Sequence, residues 1–138
     1  MSPEQARYVV LDTDVASRII KRRLSGPLAA KLTGKAWCVT LITVGELWQW
    51  AEQRSWGRRT REELEQWLDR IIVVDSDEAN AREWGRISAS ARLRGRPRPP
   101  NDTWIAACCL ARSLPLATLN LKHFKDFRDY EGLVLITE

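Results

Sequence analysis

The sequence predicts a single α/β domain in which a central parallel sheet is flanked by helices on both faces. Short apolar runs recur along the chain, and most are separated by stretches in which apolar residues follow helical spacing. This alternation is typical of βαβ units, which build parallel sheets covered by helices. With 138 residues the chain has the size of one domain, and we therefore assign residues 1–138 to one unit.

The first predicted strand covers residues 8–11 and stops abruptly at Asp12. An acid at the carboxyl end of a strand lies where open α/β sheets place their ligands. Asp12 or Thr13 can cap the helix that follows, which is predicted to end at the basic residues 21–23. Beyond the break at residues 25–27, a short helix is predicted over residues 28–32.

The second predicted strand covers residues 37–41 and leads into a helix from about residue 43 to about residue 56. Glu46 is predicted to lie in the first turn of that helix, and Gly57 is predicted to end it. Thr60 and Glu63 match a capping box, which predicts the start of the next helix. The β-branched run at residues 71–74 is the third predicted strand.

A long helix is then predicted from about residue 78 to Gly95. The sequence Arg-Pro-Arg-Pro-Pro at residues 96–100 cannot be helical and predicts a stiff loop. A further helix is predicted to begin at Asn101 or Asp102. The last two predicted strands cover residues 116–119 and 133–136.

Composition narrows the class of function. The 22 basic and 18 acidic residues give a net charge of +4, a modest lean towards acidic partners such as nucleic acid. The single histidine, His123, excludes a two-histidine ribonuclease mechanism and argues against a zinc site. Three cysteines without a CxxC spacing indicate small reduced core residues. Since neither a bilayer-length apolar run nor a signal peptide is present, we expect a cytoplasmic protein with no membrane contact.

Three acids occupy similar places in the predicted elements. Asp12, Glu46 and Asp102 each follow a strand or a loop at the start of a helix, so the right topology would bring them to the carboxyl edge of the sheet. Carboxylates that converge without bases repel one another unless a divalent cation or a proton is bound. Oxygen ligands favour Mg²⁺ or Mn²⁺, and either ion can activate a water that attacks a phosphodiester.

Other interpretations of these acids remain open from spacing alone. Asp12 fits a plain helix N-cap, Asp102 can complement the dipole of a first turn, and Glu46 can lie on the surface. The Asp-Thr-Asp pattern at residues 12–14 also occurs in aspartate-nucleophile phosphatases, but Ala16 and the lack of a late GDxxxD pair disfavour that class.

Four segments resemble one known family, the PIN domain, and more narrowly the VapC-type toxins of bacterial type II toxin–antitoxin systems. The segments are Val-Val-Leu-Asp-Thr at 9–13, Val-Gly-Glu-Leu at 44–47, Asn-Asp-Thr-Trp-Ile-Ala-Ala at 101–107 and residues 116–124. The resemblance implies a Mg²⁺- or Mn²⁺-dependent endoribonuclease that cuts single-stranded RNA. It also implies a homodimer and neutralisation by a small cognate antitoxin of the VapB type.

The resemblance also assigns roles to residues. Asp12 and Asp102 would hold the metal directly, and Glu46 would help as a ligand or through a water. Thr13 and Thr118 would orient carboxylates through their hydroxyls. The loop arginines Arg96 and Arg98 precede Asp102, and we expect them to bind substrate phosphates.

The chain departs from the family after the fourth strand. Relatives often carry an acid at the position of Asn120 or His123, and here neither residue is acidic. Asn120 can still orient a ligand or a water, and Asp126 is a second candidate replacement. Loss of a fourth acid favours one metal ion over two. The alternative function is a catalytically silent PIN-like module that binds RNA or a partner, but three retained acids favour the enzyme.

The helix predicted over residues 43–56 carries Trp48, Trp50 and Trp56, which cannot all share one buried face. We expect core or dimer contacts for them. The sharper hypothesis is that Trp50 or Trp56 lines the groove held by the antitoxin, because aromatic residues concentrate at interface hot spots.

Overall fold

The computed structural model describes residues 7–138, which form five strands and seven helices. In chain order these are β1 (Tyr8–Leu11), α1 (Thr13–Ile20), α2 (Gly26–Leu32), β2 (Ala36–Thr40), α3 (Leu41–Gln53), α4 (Arg58–Arg70), β3 (Ile72–Val74), α5 (Glu78–Leu93), α6 (Pro100–Arg112), β4 (Leu116–Ala117), α7 (Leu121–Glu131) and β5 (Leu135–Ile136).

All strand pairs in the sheet are parallel, and the strand order is β3-β2-β1-β4-β5. β1 is central, with β2 on one side and β4 on the other. The chain therefore builds outwards in both directions from β1, which makes the carboxyl end of β1 the switch point where open α/β sheets bind ligands. Asp12 follows that end directly, and its backbone N–H donates to the Ala117 carbonyl at 2.9 Å.

Alternate residues of β1 enter two separate hydrophobic cores. Val9 and Leu11 pack in a core formed with α1 to α4, whereas Val10 packs on the opposite face with α5, α6 and α7. The predicted α/β architecture with helices on both faces is thus confirmed. Cys38, Cys108 and Cys109 are buried and unpaired, as the sequence predicts.

The second strand ends one residue earlier than predicted, and this shifts Glu46. The Thr40 hydroxyl accepts a hydrogen bond from the Thr43 N–H at 3.2 Å, so Thr40 caps a helix that begins at Leu41. Glu46 consequently lies in the second turn of α3, and its predicted place in the first turn was wrong. Leu47, one position on, is fully buried, whereas Glu46 is only half-buried at the edge of the sheet.

The connection between α3 and α4 also differs from the prediction. α3 ends at Gln53 because Ser55 adopts a left-handed conformation with φ 47°. Gly57 is the N-cap of α4 and not the end of α3, so the predicted capping box at Thr60 was wrong. Arg61 fixes the turn instead, since its guanidinium donates to the carbonyls of Trp56 and Ala51 at 2.8 and 2.9 Å.

The last strands are short, and α7 was not predicted. β4 stops at Ala117, so Thr118 lies just beyond the strand, where its N–H still bonds the Ile136 carbonyl at 3.1 Å. α7 packs Phe124 and Phe127 into the second core and ends at Gly132, whose φ of 76° suits a left-handed cap. No helix within residues 7–138 has the length and apolar character needed to cross a membrane.

Candidate active site

Asp12 lies buried at the start of α1, with only 7% of its surface exposed. One carboxylate oxygen accepts the Thr13 N–H at 2.8 Å, and the other accepts the Thr118 hydroxyl at 3.0 Å. Asp12 is therefore a helix N-cap and, at the same time, a member of a polar cluster. Thr118 occupies the place predicted for it, since its hydroxyl orients the Asp12 carboxylate.

Burial raises the pKa of Asp12 to about 6, because the charged carboxylate loses water. The bonds from Thr118 and Thr13 oppose that rise, whereas the negative charges of Asp14 and Asp102 add to it. A carboxyl group with a pKa this far above its ordinary value is a common feature of functional sites.

Glu46 joins the cluster through hydroxyl groups. The Thr13 hydroxyl donates to a Glu46 carboxylate oxygen at 2.7 Å and lies 2.9 Å from the Thr43 hydroxyl. Since the Thr13 proton is given to Glu46, the Thr43 hydroxyl is the donor of the second bond. Sequence analysis missed Thr43, although it precedes Glu46 by three residues on the same helix, a spacing that places two side chains side by side.

Asp102 lies in the first turn of α6, and 20% of its side chain is exposed. Burial raises its pKa, the neighbouring Glu46 charge adds to the rise, and His123 lowers it. The His123 Nδ1 atom is 3.7 Å from an Asp102 oxygen. The charge of Glu46 raises the pKa of Asp102, and the charge of Asp102 raises the pKa of Asp12, so the three predicted acids lie within electrostatic range of one another.

The donor set fits a hard cation with a partial protein ligand shell. Over residues 7–138, no group of three or more His, Cys, Asp or Glu side chains is placed to hold one ion directly. Mg²⁺ needs fewer, because it keeps several waters and is held by one or two carboxylates. Asp12 and Asp102 can supply those carboxylates, since each Asp12 oxygen that accepts one hydrogen bond keeps a second lone pair.

Two predicted replacements for a fourth acid behave differently. Asn120 is the N-cap of α7 without a side-chain capping bond, and its backbone N–H donates to the Thr118 hydroxyl at 2.9 Å. Asn120 thus supports Thr118 through its backbone. Asp126 accepts a bond from Arg98 at 2.9 Å, so its carboxylate is paired with a cation, and its role as a substitute ligand stays a prediction.

Arg98 does not have the predicted geometry for binding phosphate. Only 6% of its side chain is exposed, and its guanidinium donates to both Glu131 oxygens at 2.8 and 2.9 Å in addition to Asp126. It also lies over the Phe127 ring at 4.1 Å. These contacts use the donors of Arg98 internally, which corrects the prediction for this residue, whereas Arg96 is exposed and lines a cavity next to Asp102.

The two tryptophans considered for antitoxin binding are half-buried, and each carries a cation on one ring face. The Arg54 guanidinium lies 4.3 Å from the Trp50 ring centre, and the Lys21 ammonium lies 4.4 Å from that of Trp56. Their predicted contact with an antitoxin stays a prediction.

Comparison with known proteins gives concordant matches. The family model of the PIN domain matches residues 9–130. Ribonuclease VapC2 of Haemophilus influenzae is 33% identical over 118 residues, which cover 84% of this chain and 89% of that protein. The tRNA(fMet)-specific endonuclease VapC of Shigella flexneri is 31% identical over 120 residues, with the same two coverages of 84% and 89%.

Solved structures agree with these sequence matches. A chain of the DNA-bound VapBC complex from Salmonella typhimurium superposes with a TM-score of 0.79 at 27% identity, covering 94% of this chain and 97% of that one. A chain of the promoter-bound VapBC2 complex from Rickettsia felis has a TM-score of 0.80 at 19% identity, over 95% of this chain and 98% of that one. The latter likeness concerns the fold alone.

Proposed function

The chain belongs to the PIN domain family, and from that membership we propose that it is a VapC-type toxin, an endoribonuclease that requires Mg²⁺ or Mn²⁺. The observation that carries this proposal is that hydroxyl groups hold Asp12 and Glu46 at the carboxyl edge of β1, with Asp102 close enough to raise the pKa of Asp12. Within residues 7–138, no Lys or Arg forms an ion pair with any of the three. Acids left uncompensated in this way are suited to a divalent cation.

The proposed site divides the work among its own residues. Asp12 and Asp102 would hold the ion, and Glu46 would contact it through a water. A bound Mg²⁺ would lower the pKa of water and stabilise the charge that develops on the phosphodiester. Thr118 and Thr13 keep the Asp12 and Glu46 carboxylates in fixed orientations, so these groups need little rearrangement when substrate arrives.

The substrate and the partner are inferred from the relatives. Those that match this chain include proteins named ribonuclease and tRNA(fMet)-specific endonuclease, which supports RNA as the substrate. The matching solved structures include VapBC complexes, which supports a VapB-type antitoxin as the inhibitor. We further propose a homodimer that acts in the cytoplasm, as expected for a toxin directed at cellular RNA.

The test is RNA cleavage by the purified protein after removal of any antitoxin. We expect cleavage with Mg²⁺ or Mn²⁺, none with EDTA, and at least a 100-fold lower rate for Asp12→Asn and for Asp102→Asn. Asp69→Asn is the matched control, because it makes the same chemical change on the exposed face of α4 and should cut as the wild type does.

Two results would contradict the proposal. The enzyme proposal is contradicted if the wild-type protein cuts no RNA with either metal and is no more toxic in cells than the two active-site variants. Tight RNA binding without cleavage would instead identify a silent PIN-like module.

A further inference from the structure

We propose that the cavity between the loop at residues 96–99 and helix α7 binds a backbone phosphate of the RNA strand, next to the phosphodiester that is cut. Arg96, Lys122 and Lys125 would supply the positive charge. The inference rests on the proposed function and names the part of the site that holds the substrate strand.

The cavity is continuous with the acidic site, which we define as Asp12, Glu46 and Asp102. Its volume is about 450 Å³, and Asp102 lines it together with the loop residues and with Lys122, His123 and Lys125 of α7. A strand with its scissile phosphate at Asp102 therefore has to place neighbouring atoms in or beside this cavity. Its shape is open, as a site for a continuous polymer requires.

The cations that line the cavity differ in whether they form ion pairs with acids of the protein. Arg98 is neutralised by Asp126 and Glu131, so it adds no attraction for a ligand. Arg96, Lys122 and Lys125 are exposed, and none of them forms an ion pair with any residue in the part of the chain that the structure describes. Elsewhere many exposed arginines do pair, as Arg58 does with Glu62 at 3.0 Å.

The two lysines and the arginine come from two different elements that line the cavity. Lys122 and Lys125 are three residues apart on α7 and therefore lie on the same side of that helix. Arg96 comes from the loop that lines the same cavity. A phosphate in the cavity would meet positive charge from both elements, which favours an anion over a neutral group.

The Arg98 cluster, which we define as Arg98, Asp126, Phe127 and Glu131, holds these two elements together. Arg98 belongs to the loop, and its three partners belong to α7, so its ion pairs connect one element to the other. Arg94, the C-cap of α5 just before the loop, adds a second contact with α7, because its guanidinium lies 3.8 Å from the Tyr130 ring centre. The cations are thereby presented on a fixed frame, which reduces the entropy that binding would cost.

The position of His123 favours the same ligand. An acid here, as in the family pattern described above, would add a negative charge to the cavity wall. Histidine adds none, so the wall between Lys122 and Lys125 keeps its positive character. An RNA strand has to bring phosphates close to three carboxylates, and adjacent cations offset the repulsion it meets there.

The test measures RNA binding without chemistry. The affinity of a single-stranded RNA oligonucleotide would be determined in EDTA by fluorescence anisotropy over a series of salt concentrations. The variant is Lys122→Gln with Lys125→Gln. The matched control is Arg58→Gln with Arg59→Gln on α4, which removes the same net charge from exposed side chains outside the cavity.

We expect the lysine variant to bind about tenfold more weakly at low salt. The slope of log affinity against log salt should decrease by up to about 0.7, the contribution of the one phosphate that the cavity neutralises on a single strand. Arg96→Gln should lower the slope in the same direction but by less, because both lysines still face the phosphate. The control should change the slope far less, and circular dichroism should show all variants folded.

Equal slopes in the lysine variant and the control would overturn the subsite, because the effect would then belong to net charge. Weaker binding of the cognate antitoxin with unchanged RNA binding would also overturn it and would make the cavity a protein contact. If the wild type cuts RNA and the lysine variant shows the same salt dependence as the wild type, only the phosphate-subsite proposal is contradicted. If the wild type neither binds nor cuts RNA, the proposed function fails with it.

Discussion

Buried carboxylates have opposite surroundings in the acidic site and in the Arg98 cluster. In the cluster, Glu131 has only 3% of its side chain exposed and faces a guanidinium that donates to both of its oxygens. In the acidic site, Asp12 is also buried, yet within residues 7–138 its oxygens accept hydrogen bonds only from one backbone N–H and one hydroxyl. The two regions lie side by side, since Asp102 and Asp126 line the same cavity.

The difference matches the proposed roles, in which the acids of the Arg98 cluster stabilise the fold and those of the acidic site take part in the reaction. Burying a charge without a counter-ion costs stability, and the Arg98 cluster shows that this chain can supply a counter-ion where one is useful. Next to Asp12 and Glu46 it places threonines, which fix the orientation of a carboxylate and leave its charge intact. Under the proposed function, a site of this kind would give up stability in return for binding a cation.

The largest expected effect on stability is that of Arg98→Met. The change leaves Glu131 as a buried charge without its cation, and we expect a loss of about 3–5 kcal/mol in the free energy of unfolding. Urea unfolding measures it. The control is Arg58→Gln, which removes an ion pair whose arginine is 92% exposed and should cost no more than about 0.5 kcal/mol.

A second variant keeps this prediction testable if Arg98→Met fails to fold. Adding Glu131→Gln to Arg98→Met removes the unpaired charge and should recover a large part of the loss. A cost for Arg98→Met below about 1 kcal/mol would show that the cluster is no more than a surface ion pair.

The next largest expected effect on the free energy of unfolding is an increase, for Asp12→Asn. Because the folded-state pKa of Asp12 is about 6, above its ordinary value of 3.8, the folded protein holds this proton more tightly than the unfolded chain. The stabilising contribution is complete below about pH 4 and is lost as the pH rises through 6. Asp12→Asn, which carries no charge, should therefore be more stable than the wild type at pH 7 in EDTA, by up to about 3 kcal/mol.

The pH series provides the control for Asp12→Asn. The difference in unfolding free energy between the variant and the wild type should be small at pH 4, grow up to pH 6 and then stay constant. Mg²⁺ should narrow it at pH 7, because an ion would stabilise only the protein that keeps the carboxylate. A stability difference that does not change with pH would contradict the raised pKa of Asp12.

The fold could be predicted from the sequence largely because its strands are buried on both faces. Such strands read as continuous apolar runs, as in residues 8–11, and their alternation with helices fixes the architecture. Boundaries were harder, because Thr40, Ser55 and Gly57 decide them through one hydroxyl bond and local backbone angles that periodicity does not contain.

The site was predictable to the extent that it depends on topology. Asp12 and Asp102 follow the ends of elements, so strand order alone brings them near the sheet edge. Arg98 could not be assigned, because its partners Asp126 and Glu131 lie on a helix 28 and 33 residues away that the sequence analysis had not predicted. From sequence, an arginine beside an acidic site looks the same whether it faces a phosphate or an internal carboxylate.

The smallest of these effects on stability is expected for Thr118→Val. This variant tests whether the Thr118 hydroxyl orients the Asp12 carboxylate. Thr118 is fully buried, donates to Asp12 and accepts the Asn120 N–H at 2.9 Å. Its loss should cost about 1–2 kcal/mol of stability and lower RNA cleavage about tenfold or more, because the Asp12 carboxylate is no longer held in place. Thr103→Val is the control, since that hydroxyl is also buried but bonds the Pro99 carbonyl of its own helix, which the Thr103 N–H continues to satisfy. If both valine variants cut RNA equally well, Thr118 stabilises the fold without orienting Asp12, and the contrast between the two regions would lose its functional meaning.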